Sequence, residues 1–125
     1  MKVAHISYSD AIGGAPRAAY RIHLAVSRLG IESRMHVVRA STGDWTVETS
    51  SSIFGRKTDA LRTRLGESLT RMLHTGNQNL HSPAVLPSRW PRLLNRLGAD
   101  VIHLHWVEYE MMSIADIDKL RAPVV

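Results

Sequence analysis

The chain has 125 residues, 44% of them hydrophobic and 22% charged, which is enough for one globular domain that buries its own core. No apolar run approaches the roughly 18 residues of a membrane span, and Met1 to Ile6 gives way to polar Ser7 to Asp10 too soon for a secretory signal, so the sequence reads as a soluble, cytoplasmic protein. Cysteine is absent, which excludes disulfides, zinc-thiolate sites and a cysteine nucleophile, and the net charge of +5 is concentrated in residues 56–99, with eight basic and two acidic side chains, a field that favours anionic partners.

Lys2 to Tyr8, with β-branched Val3 and Ile6, reads as a buried parallel strand. A turn at Asp10 to Gly14 leads to Pro16, whose fixed φ and missing N–H suit the first turn of a helix. Ala18, Ile22, Ala25/Val26 and Leu29 then repeat at three and four residues, predicting a helix with that stripe inward, stopped by Gly30. Ser33 to Val38 is a second strand, so the chain opens as a right-handed βαβ unit. Residues 40–52, polar and rich in Ser and Thr, read as a loop. A second amphipathic helix is expected over about Thr58 to His74 on Leu61, Leu65, Leu69 and Met72/Leu73. Residues 75–88 are broken by Gly76, Asn77, Pro83 and Pro87.

A short helix over Arg89 to Leu97 ends at Gly98. The next strand, Ala99 to Trp106, carries Val101, Ile102 and Leu104, and Ser113 opens a helix with Asp116 near its positive end. Ala122 to Val125 starts like another buried strand. The predicted fold is therefore α/β, an open parallel sheet in three layers, near residues 2–8, 33–38, 101–106 and 122–125. Ligands of such sheets bind beyond the carboxyl ends of the strands. The last strand has no such loop, so the chain is expected to be part of a longer protein.

Three stretches could carry chemistry. The loop from Ser9 to Arg17 contains Gly13 and Gly14, which let the backbone approach a ligand, and the helix start beyond offers free N–H groups to a phosphate or sugar oxygen. A dinucleotide G-x-G-x-x-G spacing and a P-loop lysine are both missing, and the alternative is a plain tight turn. In His103-Leu104-His105-Trp106 the histidines share one face of a strand, with His105 nearer the carboxyl end. They could be a structural pair, a substrate contact through His105, or a metal site with Glu108. Metal is the poorest of these, because the sequence shows no third histidine in register. Finally, the leucine stripe of residues 56–96, beside Arg62, Arg64 and Arg71, is either the core face of a helix or a surface for an anionic membrane. No nucleic-acid-binding pattern is found.

The opening VAHISYSDAIGGAPRAAYRIHLAVSRLGIESRMHVV, with ADVIHLHWVEYEMMSIADIDKL and the terminal APVV, resembles the N-terminal half of glycosyltransferase family 4, particularly bacterial enzymes of exopolysaccharide, colanic acid or lipopolysaccharide synthesis. The matching blocks span about half of the chain, while residues 40–98 add little. The resemblance implies a retaining, generally metal-independent GT-B enzyme with no further cofactor. Its N-terminal Rossmann-like domain binds a saccharide or lipid-linked acceptor, and its C-terminal domain binds the nucleotide-sugar donor. It makes Gly13, Gly14 and Arg17, with His103 less firmly, the donor-phosphate and substrate contacts, and His105 the catalytic histidine. The family's paired glutamates would lie in the C-terminal domain, outside this chain. From another class, a non-catalytic α/β module holding a phosphate on Gly13 and Gly14 would also fit. Glu108 and Glu110 stay open as possible carboxylate participants.

Overall fold

The computed structural model describes residues 1–49, 53–72, 84–107 and 109–125. Four strands, β1 (Lys2–Ser9), β2 (Glu32–Arg39), β3 (Val47–Thr49) and β4 (Val101–Leu104), form a sheet of order β3-β2-β1-β4. Every pairing is parallel. The expected open α/β sheet is present, with α1 (Gly14–Arg28), α2 (Ile53–Met72), α3 (Trp90–Leu94) and α4 (Ile114–Ile117) as its helices.

β1 is central because both of its edges are taken, Lys2 opposite Glu32 on one side and Val3 opposite Val101 on the other. Side chains alternate between faces along a strand, so Ala4 and Ile6 point to one layer while His5 and Ser7 point to the other. The first layer is a hydrocarbon core in which Ala4, Ile6 and Ile102 meet Trp90, Leu94, Met111 and Met112 from the segments carrying α3 and α4. On the second face α1 lays Ala19 against Met35 and Val37. Helices on both faces give the three layers.

The face that α1 buries differs from the one its apolar stripe predicts. Pro16, Ala19 and His23 are its buried residues, whereas Ile22 is 40% and Leu29 78% exposed. Ala19 allows a close approach to the sheet, and His23 satisfies both ring nitrogens there, one with Ser33 Oγ at 2.7 Å and the other with Thr46 Oγ1 at 2.8 Å. A hydrogen-bonded polar contact has outweighed the hydrocarbon stripe. β3 is likewise absent from the sequence prediction, which treats 40–52 as a loop. It is a three-residue edge strand aligned with Met35 to Val37, too short for any periodicity. α1 closes as expected, with the Gly30 N–H bonded to Ser27 O and a φ of 77°.

At the other edge, β4 runs past Leu104 irregularly, since the His105 N–H donates to Ile6 O and the Tyr8 N–H to Trp106 O. Val124 bridges Ile102 in parallel, the beginning of the strand expected at 122–125. α2 starts about five residues before its predicted onset, and the expected breakers up to Pro83 lie outside the described residues.

α4 is only four residues long and is held by a capping box, in which Ser113 Oγ accepts the Asp116 N–H and Asp116 accepts the Ser113 N–H. The same buried carboxylate accepts the Ser88 N–H at 2.8 Å, tying α4 to the segment that leads into α3. Replacing Asp116 with Ala keeps the Ser113 cap but strands two backbone donors, the Ser113 and Ser88 N–H groups, so urea unfolding should show a loss of about 2–3 kcal/mol. An unchanged midpoint would mean that the carboxylate carries no such load.

Candidate functional site

The residues singled out by sequence gather at the carboxyl ends of β1 and β4. Gly13 is the N-cap of α1 with φ 97°, a left-handed value that an L side chain resists. A Cβ there would stand 3.7 Å from the Trp106 ring, so the glycine loop meets the end of β4 directly. Gly14 differs from its neighbour: it is not among the residues with positive φ, and nothing lies within 4 Å of where its Cβ would be. The glycine requirement thus belongs to Gly13 for backbone reasons. At Gly14 it concerns only open space over the helix start. Gly13 has no side chain with which to cap α1 and Pro16 has no N–H, so among the described residues the Gly14 and Ala15 N–H groups are the ones left at that opening. Arg17 folds back over the loop, its Nε donating to Ala11 O at 3.1 Å.

The loop is pinned from below by Asp10, which is fully buried. Its carboxylate accepts from the backbone N–H groups and hydroxyls of Ser41 and Thr42, at 2.7–3.0 Å. Burial raises its pKa, but these bonds outweigh that and hold it down at about 2. Sequence reading places Asp10 in the loop without this role, because its partners lie 31 and 32 residues away.

His103 and His105 do share a face, and the structure adds a third ring that the sequence reading lacks. His5 lies opposite His103 in the β1–β4 register, and its Nδ1 is 3.1 Å from His105 Nε2. The His103 and His105 rings have centroids 4.0 Å apart, so His103 belongs to this cluster rather than to packing alone. One ligating nitrogen from each of His5, His103 and His105 lies within 4.8 Å of the others. His5 is buried, and His103 and His105 are half-buried. Burial, reinforced by the neighbouring imidazoles, pushes His5 down to about 3 and His105 to about 4, so both are neutral near pH 7. The ground for ranking a metal last, the want of a third histidine in register, is therefore corrected by β1.

Aromatic rings also meet at this end. Tyr109 lies with its centroid 4.9 Å from Tyr8 and 5.5 Å from Trp106, and the Arg39 guanidinium stands over Tyr8 at 5.7 Å. Trp106 and Tyr109 belong to one segment, whereas Tyr8 and Arg39 come from the ends of β1 and β2. Glu110 is not placed for chemistry: it is buried, and it accepts the N–H groups of Ala84 at 2.6 Å and Leu86 at 3.1 Å. Glu108 lies outside the described residues.

A carboxylate depressed to about 2 against an unfolded value of 3.8 contributes about 2 kcal/mol. That stability is fully present above about pH 4 and is lost as the pH falls towards 2. Asp10→Asn should therefore be less stable than the parent at neutral pH, with the gap closing over that acid range. A constant gap, measured by urea unfolding across pH 2–5, would remove the carboxylate's charge from the account.

Comparison with protein-family models, curated proteins and solved structures finds no match for this chain.

Proposed function

We propose that this chain is the acceptor-binding, Rossmann-like half of a retaining glycosyltransferase that moves a sugar from a nucleotide-sugar to a saccharide or lipid-linked acceptor. The observation that carries the reading is the junction of Gly13 with Trp106. It sets an open helix start beside a group of aromatic rings, with His105 the residue before Trp106 along the chain, where α/β sheets bind ligands. Glycosyl transfer from a nucleotide diphosphate builds charge on the leaving phosphate, and uncapped N–H groups with Arg17 beside them suit that charge. Amphipathic rings such as those of Trp106 and Tyr109 offer an apolar body and a polar edge to a sugar. His105, as a neutral ring, can orient an acceptor hydroxyl. The sequence resemblance supports the same assignment.

In the full-length transferase, His105→Ala should lower turnover by the equivalent of about 3 kcal/mol at most, the scale of one lost charge-stabilising contact. Gly14→Val meets no backbone strain and open space. It should keep its melting temperature while losing transfer, because its side chain occupies the approach to the helix start. Parental turnover in Gly14→Val would reduce the loop to a turn.

The second reading, a phosphate-binding module, is favoured by the uncapped helix start alone. Amide-resolved NMR titration of the chain separates the two. Saccharide acceptors should shift Gly13, Gly14 and Trp106 while nucleotide-sugars bind weakly, whereas tight binding of inorganic phosphate at Gly13 with no response to saccharides would select the module.

No helix among the described residues is long and apolar enough to cross a membrane. Most of the leucine stripe is exposed: Leu61, Leu65 and Met72 of α2 are 56%, 47% and 83% exposed, while Leu69 is half-buried. Of the expected cations Arg64 and Arg71 are exposed, as is Lys57, whereas Arg62 is half-buried and donates to Leu86 O at 2.6 Å. An apolar stripe with a cationic flank suits a helix lying on an anionic bilayer, consistent with a lipid-linked acceptor at the inner face of the cell membrane. The chain should sediment with vesicles containing anionic lipid and not with zwitterionic ones, and Leu61→Ser/Leu65→Ser should release it. Equal sedimentation of that variant would dismiss the stripe.

A further inference from the structure

The histidine cluster contains more than a substrate contact requires. His5 is fully buried, yet a contact to an acceptor hydroxyl would need only the half-exposed His105. Three imidazoles arrive on one face through two features of the backbone, the β1–β4 register that pairs His5 with His103 and the two-residue period that adds His105. Their nitrogens already stand near ligating distances. Zinc–nitrogen bonds of about 2.1 Å in a tetrahedron separate the ligating atoms by roughly 3.4 Å, and Nδ1 of His5 lies 3.1 Å from Nε2 of His105. The wider separations, up to 4.8 Å, involve half-buried rings that can close by side-chain rotation.

The nitrogen of His5 that faces His105 is Nδ1. The ring's other nitrogen, Nε2, and Oγ of Ser7, one pleat along the same face, are buried with no hydrogen-bond partner among the described residues and are not themselves ligands of the site. Buried polar groups are rarely left so. By contrast, His23, packed edge-on against His5, has both nitrogens bonded to hydroxyls and is spoken for.

We propose that His5, His103 and His105 bind one divalent transition-metal ion of the zinc class, with the fourth position open to solvent on the side of His103 and His105. An all-imidazole donor set suits zinc, cobalt, nickel or copper and disfavours the oxygen-seeking magnesium and calcium. Three protein ligands and an open place form a site that can take a water or another small oxygen donor. The proposal shares His105 with the transferase reading, but metal binding is read by cobalt spectra while that reading is also tested at Gly14 and by saccharide titration at Gly13 and Trp106, so each can fail without the other.

Cobalt titration of the chain tests it. One equivalent of Co²⁺ should develop the intense visible bands of a four-coordinate ion, Zn²⁺ should displace it, and Mg²⁺ should not. His103→Gln and His105→Gln, at half-exposed positions, should retain the parental far-UV spectrum and weaken binding by about 100-fold or more. His36→Gln should leave it unchanged, because His36 lies opposite Ile6 on the other face, beside Glu48. The weak spectrum of six-coordinate cobalt, or one-equivalent binding that survives in His103→Gln and His105→Gln, would overturn the site.

Discussion

The register of β1 between β2 and β4 governs everything else in this molecule. A slip of one residue would exchange the faces of the strand, sending Ala4 and Ile6 to α1 and His5 and Ser7 into the hydrocarbon around Trp90 and Met112. The hydrocarbon face makes that slip costly, since burying imidazole and hydroxyl there without partners is unfavourable by a few kcal/mol. The greasy side of β1 therefore fixes the place of the polar side. It aligns His5 with His103, sets Asp10 beneath the glycine loop, and brings Tyr8 to the aromatic group at the carboxyl end.

The polar face is an unusual way to fill a layer under a helix. Much of it is balanced: Tyr20 donates to Asp44, Asp44 accepts from Thr46, and His23 bonds Ser33 and Thr46. Such a network fixes one arrangement of α1 on the sheet, because each member has a partner only there. Among the described residues His5 Nε2 and Ser7 Oγ on this face lack partners, as does Trp90 Nε1 in the hydrocarbon layer. Unsatisfied groups of this kind cost about 1–3 kcal/mol each. The two on the polar face stand beside two half-buried histidines, where the polar packing is least complete.

The legible parts of the fold were those written in local chemistry. Val3 and Ile6, the glycine pair, Pro16 and Gly30 spell strand, turn, helix and stop within thirty residues, and Ser113 with Asp116 spells a cap. What could not be read depended on distant partners. The inward face of α1 is decided by Ser33 and Thr46, which offer His23 more than the sheet offers Ile22. The site followed the same rule: His103 and His105 are visible as a pair, whereas His5 lies about a hundred residues away and looks like one more residue of a buried strand. Glu110 erred in the opposite direction. Its charge beside the histidine pair suggested chemistry, and its role is to receive backbone N–H groups.

That role has a consequence for the site. Tyr109 and Glu110 both adopt left-handed backbone conformations, with φ of 56° and 57°, each costing on the order of 1–2 kcal/mol for residues with a side chain. The strain is sustained because Glu110 is clamped: it holds Ala84 and Leu86, and α2 passes so close that a Cβ on Gly66 would collide with the Glu110 side chain. Releasing the clamp would let the turn after β4 relax to ordinary φ values, carrying Tyr109 away from Tyr8 and Trp106. Gly66 is required by this contact and not by its own backbone, since a helical glycine is otherwise a weakness. The aromatic group at the mouth of the sheet is therefore held in place by a buried carboxylate and a glycine that never reach it. A rigid mouth is what the proposed orientation of an acceptor hydroxyl calls for.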